Sequence, residues 1–230
     1  MSPDPALARA LSGVRYRIAA ACARARRDPA EVRLVAVSKT VPAARVRDLL
    51  ACGQTVFGEN RVQEALAKIP EVGAGASWHL VGHLQRNKAR HAVGSFALIH
   101  SVDDLELARE IDRRAAARGI VQAVLVQLNL SGEATKSGAE ESAVLDLIGA
   151  MKDLPHLDVR GLMTIPPPVE DAEASRPWFR RLRELRDRAA AATGLALADL
   201  SMGMTGDFEV AVEEGATLVR VGTALFGARG

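Results

Sequence analysis

Leu34-Val35-Ala36-Val37-Ser38-Lys39-Thr40 is the stretch from which the fold is read. Its first four residues form a short unbroken apolar run, the pattern of a strand buried on both faces. Pro42 follows where the first turn of a helix would begin, a place that tolerates its missing N–H. Lys39 is therefore predicted at the carboxyl end of a buried strand. The chain has 5 lysines against 25 arginines. Lys68, Lys88 and Lys152 fall in helix-like segments and Lys136 in a polar loop, so Lys39 alone is read onto a strand. A free lysine has a pKa of about 10.4, and burial lowers it because charge is costly in low dielectric. A neutral amine there can form an imine with a carbonyl compound. Spacing alone equally admits a strand-end lysine that snorkels to solvent.

Outward from this stretch the pattern alternates. Before it, Leu7, Leu11, Val14, Ile18 and Cys22 make one apolar helical stripe over residues 5–27, with Arg9, Arg17, Arg24 and Arg27 predicted on the solvated side. After it come a helix at 42–52 and a short strand at 55–57 running into Gly58-Glu59-Asn60. A helix follows at 60–69, with Asn60 as its predicted N-cap. Strands are predicted at 78–81, 96–100, 121–130, 157–163, 197–201 and 217–221. Between them lie helices at 85–92, at 103–118 with Ser101 or Asp103 as cap, and at 139–152, 171–192 and 206–214. A short final helix begins at Gly222-Thr223. Eight strands alternating with helices imply a parallel sheet. Eight such units in 230 residues suit an α/β fold of one closed (β/α)₈ TIM barrel with an extra N-terminal helix. A doubly wound open sheet is the alternative. No linker interrupts the pattern, so residues 1–230 are read as a single domain.

Composition fits a globular protein, with 48% hydrophobic and 25% charged residues. A net charge of +2 is too small to argue for a nucleic-acid or membrane surface. No run approaches the roughly 20 apolar residues of a membrane span, and arginines interrupt the N-terminus, which argues against a secretory signal. Cys22 and Cys52 match no zinc spacing and read as reduced thiols of a cytoplasmic protein.

In a barrel of this kind the active residues gather at the carboxyl ends of the strands. Those ends supply Lys39, Asn60, His83, Ser101, Asn129, Met163-Thr164, Ser201 and Arg220 to Thr223. Barrels often bind phosphate with the loops after strands seven and eight and a short extra helix. Ser201-Met202-Gly203-Met204-Thr205-Gly206 and Gly222-Thr223 stand at those two places. Gly222 admits close backbone approach, and Ser201 and Thr223 carry hydroxyl donors. The alternative is that the glycines only make turns. A strand-one lysine with a phosphate cradle opposite suggests a phosphorylated aldehyde, and pyridoxal 5′-phosphate (PLP) fits that description. Arg220 then reaches the pyridine nitrogen, or else forms a salt bridge within the barrel mouth. His79 and His83 are four apart on a predicted strand, about 13 Å along the chain, which argues against a metal pair. His91, His100 and His156 show no partner pattern. Trp78 and Trp178 read as packing residues.

Taken together, Leu34 to Lys39, Phe57-Gly58-Glu59-Asn60-Arg61-Val62-Gln63-Glu64, Trp78-His79-Leu80-Val81-Gly82-His83-Leu84-Gln85-Arg86-Asn87-Lys88, Gly161-Leu162-Met163, Leu200 to Met204 and Val219 to Gly227 resemble the pyridoxal phosphate homeostasis (PROSC) family. They span almost the whole chain in order. The resemblance implies a barrel like the N-terminal domain of alanine racemase, with PLP bound as an internal aldimine on Lys39. It implies phosphate contacts on Ser201, Gly222 and Thr223, Arg220 near the ring nitrogen, and Asn60 and Met163 lining the pocket. It also implies intracellular PLP storage and delivery, with PLP-dependent apoenzymes as partners and no established turnover.

The alternative function is a PLP-dependent amino-acid racemase. Two-base racemisation needs an acid–base group on each face of the cofactor. In racemases sharing this barrel the second base is a tyrosine from a further domain. The one tyrosine here is Tyr16, in the N-terminal helix, so the expectation favours a carrier, although His83 could substitute. A Schiff-base aldolase acting on a phosphosugar would use the same lysine but lacks a placed acid–base residue. Lys136 reads either as a second, transient amine for PLP or as a solvated loop lysine. The expected state is a monomer.

Overall fold

The computed structural model describes residues 4–133 and 137–227. Lys136 lies outside them. The first helix, α1 (Pro5–Arg24), is followed by β1 (Arg33–Val37), α2 (Ala43–Ala51), β2 (Val56–Glu59), α3 (Val62–Val72), β3 (Ser77–Leu80) and α4 (Ala89–Ala92). Next come β4 (Leu98–Val102), α5 (Leu105–Ala116), β5 (Gln122–Leu128), α6 (Val144–Lys152), β6 (Leu157–Thr164) and α7 (Arg176–Thr193). The chain finishes through β7 (Asp199–Ser201), α8 (Phe208–Glu213), β8 (Leu218–Val221) and α9 (Thr223–Phe226). The eight strands pair in sequence order and close into a parallel barrel. This is the predicted TIM barrel with an N-terminal helix, and the open-sheet alternative is excluded.

The barrel has two concentric cores, because successive side chains of a strand point to opposite faces. Val35, Leu98, Leu125, Met163 and Leu218 fill the interior with Val81. Ala36, Phe57, Ile99, Val124, Val219 and Val221 face outward and pack under the helices. The odd-numbered residues of β1 therefore point inward, and continuing that alternation aims Lys39 at the barrel mouth. Closure comes from β1 pairing with β8 in the register Leu34↔Val219 and Ala36↔Val221. Gly161 allows β6 and β7 to meet, since a Cβ there would lie 1.8 Å from the Asp199 carbonyl oxygen.

The N-terminal helix begins where Asp4 Oδ1 accepts from Ala6 N–H at 2.8 Å and Pro5 occupies the first position. Its predicted stripe is buried, with Leu7, Leu11, Val14, Ile18 and Cys22 at 5% exposure or less. Each such side chain contributes about 1.5–3 kcal/mol on burial. The arginines of this region are not simply solvated, as the sequence suggested. Arg17 and Arg24 each form a 2.6 Å ion pair with α8, to Glu209 and Glu213. Arg27 donates to the Val212 and Ala216 carbonyls at 2.6 and 3.0 Å.

Two predicted caps are corrected. Helix α3 starts at Val62 with Arg61 as its N-cap, so Asn60 is left in the β2–α3 turn. Helix α5 is capped by Asp104, whose Oδ1 accepts from Leu107 N–H at 2.7 Å, and not by Ser101 or Asp103. In both places several polar residues could serve, and the strand end sets which one the chain turns at. No helix among the described residues is long and apolar enough to cross a membrane.

Replacing Gly161 with Ala should destabilise the protein by at least about 3 kcal/mol, through the clash with β7 and the positive φ. Urea unfolding measures it; a midpoint matching that of the unaltered protein would contradict this account of how β6 meets β7.

Candidate functional site

A cavity of about 260 Å³ opens at the carboxyl ends of the strands. Val37, Lys39, Asn60, Val81, Ile165, Met204, Thr205, Gly206, Arg220, Gly222 and Thr223 line it. Closure of the barrel brings Lys39, which follows β1, beside Gly222 and Thr223, which follow β8. Gly222 fits closely there: a Cβ would lie 3.1 Å from the Val37 carbonyl oxygen, a tight contact. Asn60 is held against the next strand by a similar approach, since a Cβ on Gly82 would come within 2.3 Å of the Asn60 oxygen.

Lys39 lies not on the strand itself but in a turn, two residues beyond its last member. In that turn Val41 N–H donates to the Ser38 carbonyl at 3.0 Å. Thr40 takes a left-handed φ of 62°, a strain that persists only where neighbours enforce it. The neighbours are polar. Ser38 Oγ donates to Glu59 Oε1 at 2.6 Å, Lys68 Nζ donates to the same oxygen at 2.6 Å and to the Ser38 carbonyl at 2.7 Å, and Thr40 N–H donates to Glu64 Oε1 at 2.5 Å. Lys68 Nζ also lies 3.1 Å from Glu64 Oε1. Burial pushes the Glu59 carboxyl up, against the hydrogen bonds from Lys68 and Ser38. Its second oxygen, Oε2, is buried with no hydrogen-bond partner among the described residues. Sequence reasoning assigned Lys68 only to a helix. The signal available was the i, i+4 spacing of Glu64 and Lys68.

Arg220 points inward from β8 and is 4% exposed. Its Nη1 donates to Ser201 Oγ at 2.6 Å and its Nη2 to the Thr164 carbonyl at 2.9 Å. Burial brings its pKa down to about 10, so it stays cationic at neutral pH. Ser201 Oγ also lies 2.8 Å from His100 Nδ1, and His100 Nε2 lies 2.9 Å from His79 Nδ1. A chain of hydrogen bonds thus runs from Arg220 through Ser201 and His100 to His79. With Ser201 donating to His100 and His100 donating to His79, every link is satisfied by neutral imidazoles. This corrects the expectation that His100 has no partner. The two histidines are 21 residues apart on adjacent strands, a pairing that only strand register creates.

The loop after β7 is fixed by Asp207, which accepts from Met204 N–H at 2.7 Å and from Ser175 Oγ at 3.0 Å. Of the seven expected cofactor residues, Lys39, Asn60, Arg220, Gly222 and Thr223 line one cavity. Ser201 and Met163 are fully buried and do not line it. The hydroxyl that the β7 loop brings to the cavity is that of Thr205. His83 is half exposed, faces Asp103 at 3.6 Å, and lines a neighbouring groove.

The residue set suits a flat, phosphorylated aldehyde: an amine, a buried guanidinium, two threonine hydroxyls and two glycines share one cavity. Residues 11–230 match the family described as alanine racemase, N-terminal domain. The pyridoxal phosphate homeostasis protein of Aquifex aeolicus is 49% identical over 220 residues, covering 95% of this chain and 96% of that protein. The chain belongs to the pyridoxal phosphate homeostasis protein family. The Pseudomonas aeruginosa member is 46% identical over 97% of this chain and 96% of its own. PipY of Synechococcus elongatus PCC7942, solved with PLP bound, superposes with a TM-score of 0.85 at 39% identity, covering 96% of this chain and 100% of that one. An alanine racemase from Clostridium difficile 630 is 16% identical with a TM-score of 0.75 over 97% of this chain and 57% of that one, which shows the shared barrel fold alone.

Burial takes the His79 pKa down to about 3 from 6.5 and pushes that of His100 down as well. The unfolded chain binds protons on these rings below about pH 6.5 and the folded barrel refuses them. Their contribution is thus complete above that pH and is lost as pH falls. His79 alone should cost about 2 kcal/mol between pH 7 and pH 5. Urea midpoints at the two pH values test this, and an unchanged midpoint would contradict neutral, buried histidines.

Proposed function

We propose that this family member binds PLP in the cavity at the barrel mouth, attached covalently through Lys39, and stores it for delivery to PLP-dependent apoenzymes. The observation that carries the reading is the meeting of Lys39 with Arg220, Gly222 and Thr223 around one cavity of about 260 Å³. When bound, PLP supplies an aldehyde whose bond to an amine forms and exchanges reversibly. The Lys39 amine provides that bond, with loss of water. The hydroxyls of Thr223 and Thr205 and the backbone at Gly222 and Gly206 provide the phosphate contacts, aided by a helix whose first-turn N–H groups have no acceptor within it.

Arg220 holds a permanent positive charge near the ring nitrogen and so keeps a proton off it, which weakens the ring as an electron sink. Ser201, expected from the family resemblance to touch phosphate, acts in this reading by holding Arg220 in place. Asn60 lines the ring pocket, and Met163 packs in the barrel interior below it.

A carrier is favoured over a racemase by the makeup of the cavity. Among its lining residues, Lys39 and Arg220 are the only titratable groups, and a second proton-transfer group to face Lys39 across the ring is not among them. Tyr16 is 74% exposed on α1, and His83 lines the adjoining groove. Access also matters: the cavity is walled partly by exposed Ile165 and Met204, so water and incoming amines can reach the site. We place the protein in the cytoplasm, where the free thiols Cys22 and Cys52 suit a reducing compartment, and as a monomer, since one chain supplies the whole cavity.

The deciding experiment is the absorption spectrum of the protein with PLP, before and after borohydride reduction, followed by peptide mass mapping. An imine band at about 420 nm and a pyridoxyl adduct on Lys39 are expected, and both should vanish in Lys39→Ala. An adduct elsewhere, or none, would refute the assignment. Delivery has its own readout. Protein-bound PLP should reactivate an apoenzyme faster than free PLP at equal concentration, and transfer no faster than that would remove support for the delivery role. Incubation with L-alanine should leave its enantiomeric purity unchanged; appearance of D-alanine would restore the racemase reading.

A further inference from the structure

The cluster behind the Lys39 turn does more than fill space between the barrel and α3. It contacts the backbone on both sides of Lys39. On one side the Ser38 carbonyl accepts from Lys68 Nζ at 2.7 Å, and on the other Thr40 N–H donates to Glu64 Oε1 at 2.5 Å. Lys68 Nζ joins the two anchors, at 2.6 Å from Glu59 Oε1 and 3.1 Å from Glu64 Oε1. Lys68 is only 7% exposed and Glu59 is fully buried. Thr40, a β-branched residue, is held at a φ of 62°, a conformation an isolated threonine avoids by roughly 1–2 kcal/mol. The turn is therefore set by hydrogen bonds from α3, and the direction in which Lys39 leaves it is set with the turn.

We propose that Lys68 and Glu64 are positioning residues: they hold the 38–40 turn so that the Lys39 amine faces the cavity in the geometry for imine formation. The inference rests on the reading of Lys39 as the PLP-bearing lysine. The bond in question forms when the neutral Lys39 nitrogen attacks the aldehyde carbon. A C=N bond replaces the C=O bond, and the aldehyde oxygen leaves as water with two protons, both drawn from the amine. Nothing else is consumed. Lys68 and Glu64 act through the backbone of the turn. Lys68 Nζ is itself held by the Ser38 carbonyl and the carboxyl groups of Glu59 and Glu64, and Lys68 is not among the residues that line the cavity.

Two ligands separate positioning from general pocket integrity. PLP can bond to Lys39, whereas pyridoxine 5′-phosphate carries an alcohol in place of the aldehyde and cannot. The ratio of their affinities reports the imine alone. Glu64→Ala is the cleaner variant, since its side chain is 28% exposed and its loss need not disturb the core. Lys68→Met removes the bridging cation. Phe179→Leu, in the distant helix α7, is a control for destabilisation as such.

Both cluster variants should weaken PLP binding about ten- to a hundredfold, lower the imine band at saturating PLP, and leave the affinity for pyridoxine 5′-phosphate within about twofold of the parent. Phe179→Leu should lower the melting temperature without changing the affinity ratio. If Glu64→Ala keeps the parental ratio and band, the positioning role is overturned, whatever happens to Lys68→Met. If both ligands weaken together, the cluster is a structural support and the proposal also fails. If the unaltered protein binds the two ligands equally and gives no adduct on Lys39, the PLP reading itself falls and takes this inference with it.

Discussion

The pairing of the first strand with the last is the contact on which the site depends. Until β1 and β8 lie side by side in the register Ala36↔Val221, Lys39 and the Gly222-Thr223 segment are separated by nearly the whole chain. Their closure brings together groups about 180 residues apart in sequence, a non-local contact whose chain entropy must be offset by burial elsewhere. The two concentric cores supply that burial. The clearance at the seam is narrow, since a Cβ on Gly222 would sit 3.1 Å from the Val37 carbonyl oxygen. Helix α1, ion-paired to α8 beside the same seam, covers it from outside. Exposed ion pairs of this kind contribute little each, so the apolar stripe of α1 carries most of that helix's hold.

Inside the barrel the difficulty is opposite in kind. Arg220 is a guanidinium in an interior that otherwise holds Val, Leu, Met and Ala side chains and the polar Ser201, His100 and His79. An unpaired charge there would be prohibitively costly, and a charge-assisted hydrogen bond is stronger than a neutral one. Ser201 and the Thr164 carbonyl meet that need. Two neutral histidines then satisfy the serine. Protonating either imidazole would place a second positive charge in the chain that serves Arg220. Burial holds both rings neutral, and for His100 the nearby Arg220 adds to that effect. The same polar layer that holds the guanidinium thus makes the barrel sensitive to acid.

The turn that carries Lys39 shows a third solution. A backbone strained at Thr40 is held by a lysine and two glutamates that lie between β2 and α3. The two lysines, 39 and 68, occupy opposite sides of one short segment and do different work. One faces the cavity, and the other is locked among carboxylates and a carbonyl. Residue type alone does not separate them; their places in the fold do, one in the turn after β1 and the other on α3.

Periodicity, unaided by any contact, was enough for the eight strands, their alternation with helices and the N-terminal stripe, because these follow from local burial patterns repeated along the chain; closure of the sheet, against the open alternative, was decided by the pairing of β1 with β8. The glycines and hydroxyls after the seventh and eighth strands and the lysine after the first were legible for a related reason: a parallel barrel sends all its strand ends to one face. Which of those residues reach the cavity was not legible. Ser201 and Thr205 stand four apart in the same loop region, and only the fold turns the first toward Arg220 and His100 and the second toward the cavity. The His79–His100 contact, the Asp104 cap and the Lys68 cluster were likewise hidden. Each depends on strand register or on the angle of a helix against the sheet, and such quantities arise from packing between distant segments, where local pattern carries no information.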